Sequence, residues 1–225
     1  SALTLNLDNL ELLTQLSTMS QQSLEMLCGR ALGEPYDEML LEHLRFALET
    51  HAGRFQEAYT HVERAALCFQ SVFDKDTAWS LPALHVANLN LRQGAQRADA
   101  QLRQQKAKPH KLQEAARVLQ KSFQIVVTDR APIGESKKWG ALHVINNLFK
   151  IYFELNNLRL CQNLIRAVEG PGFPKALEGE TIEGRSFSVA QLVTYKYFVG
   201  RLSLLNSQFA RSEAQLHFAF VRCPA

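Results

Sequence analysis

No apolar run in this chain reaches the roughly 18 residues needed to span a bilayer, and no secretory signal stands at its start. Cysteine is scarce. Cys28, Cys68, Cys161 and Cys223 lie far apart with no CxxC pair. Four cysteines could form two disulfides, but in helical segments without a signal they read as small core residues in a reduced compartment, cytosol or nucleus. The seven histidines, His43, His51, His61, His85, His110, His143 and His217, include no HExxH, and none joins a cysteine pair at zinc spacing. There is no glycine-rich phosphate loop, GxSxG elbow or DxD metal pattern. Carboxylates are plentiful, yet no pair is set apart as acid and base. Glu49 close to His51 is common surface composition. Catalytic triads assemble from distant residues, so missing motifs do not exclude an enzyme. They do favour a chain with no catalytic residues, no metal and no cofactor. Strong charge of either sign is lacking as well: a net charge of +3 is too small to identify a partner.

What is present is apolar and periodic. The 225 residues are 46% hydrophobic, enough to bury a core in one or two globular units. The first residue is Ser1 rather than Met, which leaves the true N-terminus open. The organising stretch is 135–168. Leu142, Ile145, Phe149 and Tyr152 form one stripe at helical spacing, and Ala141, Val144, Leu148, Ile151 and Leu155 form another beside it. Only His143, Asn146, Asn147, Lys150 and Glu154 are left for a polar face. A helix apolar over most of its circumference is buried on more than one side, which predicts a helix sandwiched within a stack of hairpins. A tight turn at Asn156-Asn157 leads to a second helix carrying Leu160, Leu164, Ile165 and Val168.

Elsewhere the same design recurs. Leu10, Leu13, Leu16, Leu24 and Leu27 predict one or two amphipathic helices across 3–32. Gly33 stops that pattern, Pro35 is placed to open the next helix, and Asp37 and Glu38 suit its positive end. Gly53 breaks the chain before a helix over 55–73. Phe55/Ala58, Leu112/Ala115, Leu158/Cys161 and Phe209/Ser212 each pair a large residue with a small one three positions later. Each opens a candidate second helix, roughly 50 residues from the last, which points to a helical solenoid. The alternative is an ordinary irregular helical domain.

Two stretches interrupt this. Residues 92–121 hold Arg92, Arg97, Arg103, Lys106, Lys108, Lys111, Arg117 and Lys121 against only Asp99 and Glu114, around a loop that Pro109 keeps out of helix. Such a run can neutralise nucleic-acid phosphates; its plainer reading is a solvated face. Residues 170–187, rich in Gly, Pro and charge, predict a mobile inserted loop, in which Ile182-Glu183-Gly184-Arg185 matches a protease site by coincidence. Ser188 and Gln191 then form a capping-box pattern for a last hairpin over 188–225 that ends at Pro224. Gly200 inside its first helix costs about 1 kcal/mol against Ala, which predicts close approach of a neighbouring helix. The aromatics Phe149, Tyr152, Phe153, Tyr195, Tyr197 and Phe198 read as core rather than as a base-stacking platform.

Several blocks carry a family resemblance: Glu34-Pro35-Tyr36-Asp37-Glu38, Ser136-Lys137-Lys138-Trp139-Gly140, Leu148-Phe149-Lys150-Ile151-Tyr152-Phe153, Leu164-Ile165-Arg166-Ala167, Val193-Thr194-Tyr195-Lys196-Tyr197 and Val199-Gly200-Arg201. In this order they resemble the family of PCI-domain-containing protein 2, with the fungal messenger-RNA export subunit and the twelfth, signalosome-associated subunit among its relatives. The resemblance covers most of the chain and is densest over 132–223. It implies helical repeats leading into a winged helix, for which no sequence is left here. It also implies a non-catalytic subunit of transcription-export complex 2 at the nuclear pore, held by a large scaffold subunit and a small acidic protein, with nucleic acid as a further partner; the alternatives are a signalosome- or splicing-associated subunit of the family and a free-standing peptide-binding helical-repeat adaptor.

The expectations are therefore an all-α, right-handed solenoid of tetratricopeptide-like hairpins, forming one helical-repeat domain over 1–225 without the winged helix. Its parts are N-terminal helices over 1–33, first hairpins with the basic loop over 34–130, a central hairpin over 131–169, the loop and the last hairpin. Leu142, Ile145, Phe149, Tyr152, Tyr195, Tyr197 and Gly200 are expected in the core. The eight basic residues of 92–121 are the candidate nucleic-acid contacts.

Overall fold

The computed structural model describes residues 10–223; the leading part of the first leucine pattern and the stop at Pro224 lie outside the described residues. Among these residues the chain is all-α, with ten helices, three short 3₁₀ turns and no strand. The helices are α1 (Leu10–Ser17), α2 (Gln21–Ala31), α3 (Asp37–His51), α4 (Phe55–Phe73), α5 (Leu81–Gln104), α6 (Lys111–Val127), α7 (Ala141–Glu154), α8 (Arg159–Val168), α9 (Val189–Leu205) and α10 (Phe209–Arg222).

The repeat is legible in how helices end. After α3, α5, α7 and α9, a single residue turns to positive φ: Gly53, Lys106, Asn156 and Ser207. Its N–H donates to the carbonyl of Thr50, Arg103, Phe153 or Leu204, and the next N–H donates to that of Glu49, Leu102, Tyr152 or Ser203. This double closure satisfies carbonyls that a helix end leaves open. The four turns fall roughly 50 residues apart, as a helical-repeat array requires. Behind each lies the expected large/small pair, and Ala58, Ala115, Cys161 and Ser212 are all buried.

The helices group into two compact units whose division falls inside α6, one ending at Val118 and the other beginning at Leu119. In the first unit, Leu16, Leu24, Cys28 and Leu44 bring α1, α2 and α3 together. Pro35 lies before the α3 cap at Tyr36 rather than in the first turn of the helix. One face of α4 buries Tyr59, Val62, Ala66, Phe69 and Phe73. On α5, Gly94 lets the helix come close to Val62 and Phe46. Asp99, only 1% exposed, reaches from α5 to the start of α6 and accepts from the amides of His110, Lys111 and Leu112 at 2.8–3.0 Å. A carboxylate there satisfies orphan donors and the positive end of the helix dipole together.

In the second unit α7 is the centre. Both of its apolar stripes are buried, apart from the half-buried Leu155. Asn146 and Asn147, expected on the polar face, are buried too, because the amides have partners: Asn146 donates to the Gln191 carbonyl and Asn147 to that of His143. The Gln120 amide donates to the Tyr152 hydroxyl at 2.6 Å.

Residues 170–187 form a loop, as expected, and it carries apolar anchors. Phe173, Ala176 and Phe187 are buried. Phe187 stacks on Phe173 at 5.9 Å and meets Trp139 at 4.9 Å. Lys196 pairs with Glu178, Lys138 donates to the Gly172 carbonyl, and the Glu183 carboxylate accepts from the Gly134 amide. Three apolar side chains among the Gly and Pro are enough to fasten the loop. Within it, the protease-like Ile182–Arg185 stretch is a tight turn in which Glu183 and Gly184 both take positive φ.

Candidate interaction surfaces

The last hairpin packs by close approach. A Cβ on Gly200 of α9 would stand 2.7 Å from Leu216 Cγ of α10, and Ser212 Oγ donates to the Gly200 carbonyl at 2.9 Å. Leu142, Ile145, Phe149, Tyr152, Tyr195 and Gly200 are all buried. Burial pushes the Tyr152 phenol up to about 12. Tyr197 is the correction: it is 44% exposed. Residues two positions apart on a helix point to nearly opposite sides, so Tyr195 turning inward sends Tyr197 outward. Because α9 is apolar on almost every side, its sequence does not mark which side is covered.

Tyr197 instead lines an open groove of about 600 Å³ between α9 and α10, with Val193, Phe198, Leu216, Ala219 and Phe220, and with Lys150 of α7 at its edge. Phe220 is 84% exposed and Val221 64%. Leu204, Leu205 and Phe209, at or next to the α9–α10 turn, are exposed as well. The Arg201 guanidinium lies 4.8 Å from the Phe153 ring and 5.4 Å from that of Tyr197, bordering the groove with positive charge. An apolar groove with exposed aromatics and a charged rim is the make-up of a protein interface. The sequence signal was present in Phe209, Phe220 and Val221, but a helical apolar pattern alone does not say whether it is buried within the chain.

The basic run of 92–121 is not one surface. Arg92 is buried and donates to Gln96. Lys111 is half-buried, pairs with Glu114 at 3.0 Å and lies over the Tyr59 ring. Asp99 is committed to the α6 cap and does not oppose the run at the surface. Arg103, Lys106 and Lys108 come together at the exposed turn between α5 and α6, and Arg117 and Lys121 lie one turn apart on α6; Arg97 is exposed on α5. Buried charge needs partners, which is why the two best-partnered cations leave the surface.

Groups suited to chemistry are muted. Burial holds the Cys161 thiol up at about 12 and raises Cys28 and Cys68 as well, the reverse of an activated thiolate. Among the described residues no cluster of His, Cys, Asp or Glu is arranged to hold a metal ion.

The chain is similar to PCI domain-containing protein 2 of Danio rerio, 41% identical over an alignment of 204 positions that covers 87% of this chain and 48% of the relative. The protein of the same name from Xenopus laevis is 38% identical over 201 residues, again 87% and 48%. The Protein CSN12 homolog of Mycosarcoma maydis is 30% identical over an alignment of 230 positions, which covers 87% of this chain and 49% of the relative. The chain thus spans about half the length of the curated relatives it matches. No protein-family model matches it.

Proposed function

The chain belongs to the PCI domain-containing protein 2 family, and from that premise we propose that it is a non-catalytic scaffold subunit of a nuclear complex that couples transcription to messenger-RNA export at the nuclear pore. A large scaffold subunit and a small acidic protein are its partners. The observation that carries this reading is the uncovered apolar groove on α9–α10. A helical-repeat array buries its core between neighbours, and a repeat with an apolar outer face needs a further neighbour there, from the same protein or from a partner. Here the outer face carries Tyr197 and Phe220, so it is built for a neighbour. Nucleic acid is a further partner through Arg103, Lys106 and Lys108 at the α5–α6 turn, where contacts to phosphates would be sequence-tolerant. The name of the Mycosarcoma maydis relative favours a second reading, a signalosome-associated subunit.

The test is affinity purification of the tagged full-length protein from nuclear extract, with partners identified by mass. Recovery of the export scaffold and the small acidic protein supports the first reading, and recovery of signalosome subunits the second. Replacing Tyr197 and Phe220 by Asp is expected to release the partners while the helical circular dichroism is kept; unchanged recovery overturns the groove as the assembly surface. For the basic turn, Arg103, Lys106 and Lys108 replaced by Ala should flatten the salt dependence of single-stranded RNA binding by about 0.7 in log–log slope for each lost phosphate contact.

A further inference from the structure

A second surface is built at the start of α3 and the end of α4. Pro35, Tyr36, Ser71, Val72, Lys75 and Asp76 line an open groove of about 390 Å³. Trp79 stands against it, 67% exposed, with its ring 6.4 Å from that of Tyr36 at an angle of 69°. Both rings are tied to one carboxylate. Tyr36 donates its hydroxyl to Asp76 Oδ2 at 2.9 Å, and Trp79 donates Nε1–H to Asp76 Oδ1 at 2.7 Å. The Thr77 amide also donates to Asp76 Oδ1, fixing the carboxylate in turn. None of this is needed to bury Trp79. The bonds hold a large aromatic face open to solvent in one orientation, and such preorganisation lowers the ordering cost of binding.

We propose that the Tyr36–Trp79 pair is a docking site for an extended, proline-containing peptide with a flanking arginine or lysine. Fixed aromatic edges and faces bordering a shallow groove receive the rings of a polyproline II segment, which is extended before it binds. Charge decides the flank. The two segments that build the groove carry Glu34, Asp37, Glu38, Asp74 and Asp76 against Lys75. This acidic surround attracts a basic side chain and repels a phosphate backbone, so a stacked nucleobase is the disfavoured occupant.

Trp79 supplies its own readout. The chain has two tryptophans and Trp139 is buried, so iodide quenching of fluorescence reports on Trp79. The probe is a synthetic proline-leucine decapeptide ending in two arginines. It is expected to protect Trp79 from iodide. By anisotropy of the labelled peptide, Kd should rise about tenfold in Trp79→Ala, as for an aromatic anchor. Glutamates in place of the arginines should weaken binding by a similar factor. A melting curve by circular dichroism checks that Trp79→Ala is folded. Tyr36→Phe, which keeps the ring and removes its bond to Asp76, is the second variant and should weaken binding less than Trp79→Ala does. The proposal is overturned if Trp79→Ala binds the arginine peptide like the parent, or if the glutamate peptide binds equally well. It is also overturned if oligouridylate, or a rise in the protein's own concentration, protects Trp79 while the peptide does not.

Discussion

The α3–α4 and α9–α10 hairpins are built alike and end in opposite circumstances. Each closes on a positive-φ residue, Gly53 or Ser207, and each second helix starts two residues later with phenylalanine. At the same distance from those starts stand Ala66 of α4 and Phe220 of α10. Ala66 is 2% exposed and Phe220 is 84% exposed. The next helix makes the difference. α5 packs on α4, so a small residue suits the crossing. On α10 the matching position is open, and it carries an aromatic ring. One repeat grammar therefore makes an interior in one place and leaves an exposed apolar position in the other, and what packs outside the second helix separates them.

The largest expected effect tests that contrast directly. Phe69→Ala removes a ring that is 1% exposed and stacked on Phe73, and should cost about 3–5 kcal/mol. Phe220→Ala should change stability by less than about 0.5 kcal/mol, as a surface substitution. Urea unfolding of the two variants measures both. Equal losses would mean that Phe220 is covered within the chain and that the groove is not an interface.

Acid should weaken the α4–α5 region. Burial lowers His85 of α5 from its ordinary 6.5 to about 4. Above pH 6.5 the imidazole is neutral whether the chain is folded or unfolded, and it adds no pH dependence. As pH falls from 6.5 toward 4 the unfolded chain takes the proton first, so stability is lost across that window, by up to about 3 kcal/mol at its lower end. His85→Gln should flatten the pH profile between 6.5 and 4 when unfolding is followed by circular dichroism. If it leaves the slope unchanged, His85 is not held neutral.

The two close-approach glycines sharpen the comparison further. A Cβ on Gly94 would meet the flexible end of Val62 at 3.0 Å, whereas one on Gly200 would meet Leu216 Cγ at 2.7 Å and its backbone N at 3.2 Å. Val62 and Leu216 stand at matching places on α4 and α10. Overpacking costs typically about 1–3 kcal/mol. Gly200→Leu is expected at or above the top of that range and Gly94→Ala near or below its bottom. A thermal melt of Gly200→Leu close to the parent's would remove Gly200 from the α9–α10 contact.

Much of this was legible in residue order. The limits of α4, the Asn156 turn, and the small residues Ala58, Ala115, Cys161 and Ser212 follow from periodicity and from the steric demands of a crossing. Three things did not. The side on which Tyr197 falls depends on which neighbour covers α9, and an all-apolar helix leaves that open. The anchoring of 170–187 depends on Phe187 stacking on Phe173 and meeting Trp139, which lies far back in the sequence before α7. Arg92 and Lys111 left the basic surface because Gln96, Glu114 and the Tyr59 ring receive them, and composition does not locate such partners. Pairings between distant residues are where pattern reading stops.

The smallest expected effect concerns the shared turn itself. The left-handed conformation costs a residue with a Cβ about 1–2 kcal/mol, and glycine nearly nothing. Glycine also gives the unfolded chain more freedom, which takes back about 0.4–1 kcal/mol. The net advantage of glycine at such a turn is thus a few tenths to about 1 kcal/mol. The α3–α4 turn already has it at Gly53, with φ of 75°, and the α9–α10 turn does not at Ser207, with φ of 58°. Ser207→Gly should therefore stabilise the chain by that small amount, and Gly53→Ser should destabilise it by as much, because the two turns make the same pair of backbone bonds. Urea midpoints at constant m-value measure the two shifts. Opposite signs of similar size would establish that the hairpins share one turn and differ only in what packs outside it. A loss of stability in Ser207→Gly would show that the serine side chain contributes something to the α9–α10 turn that glycine at the α3–α4 turn does not supply.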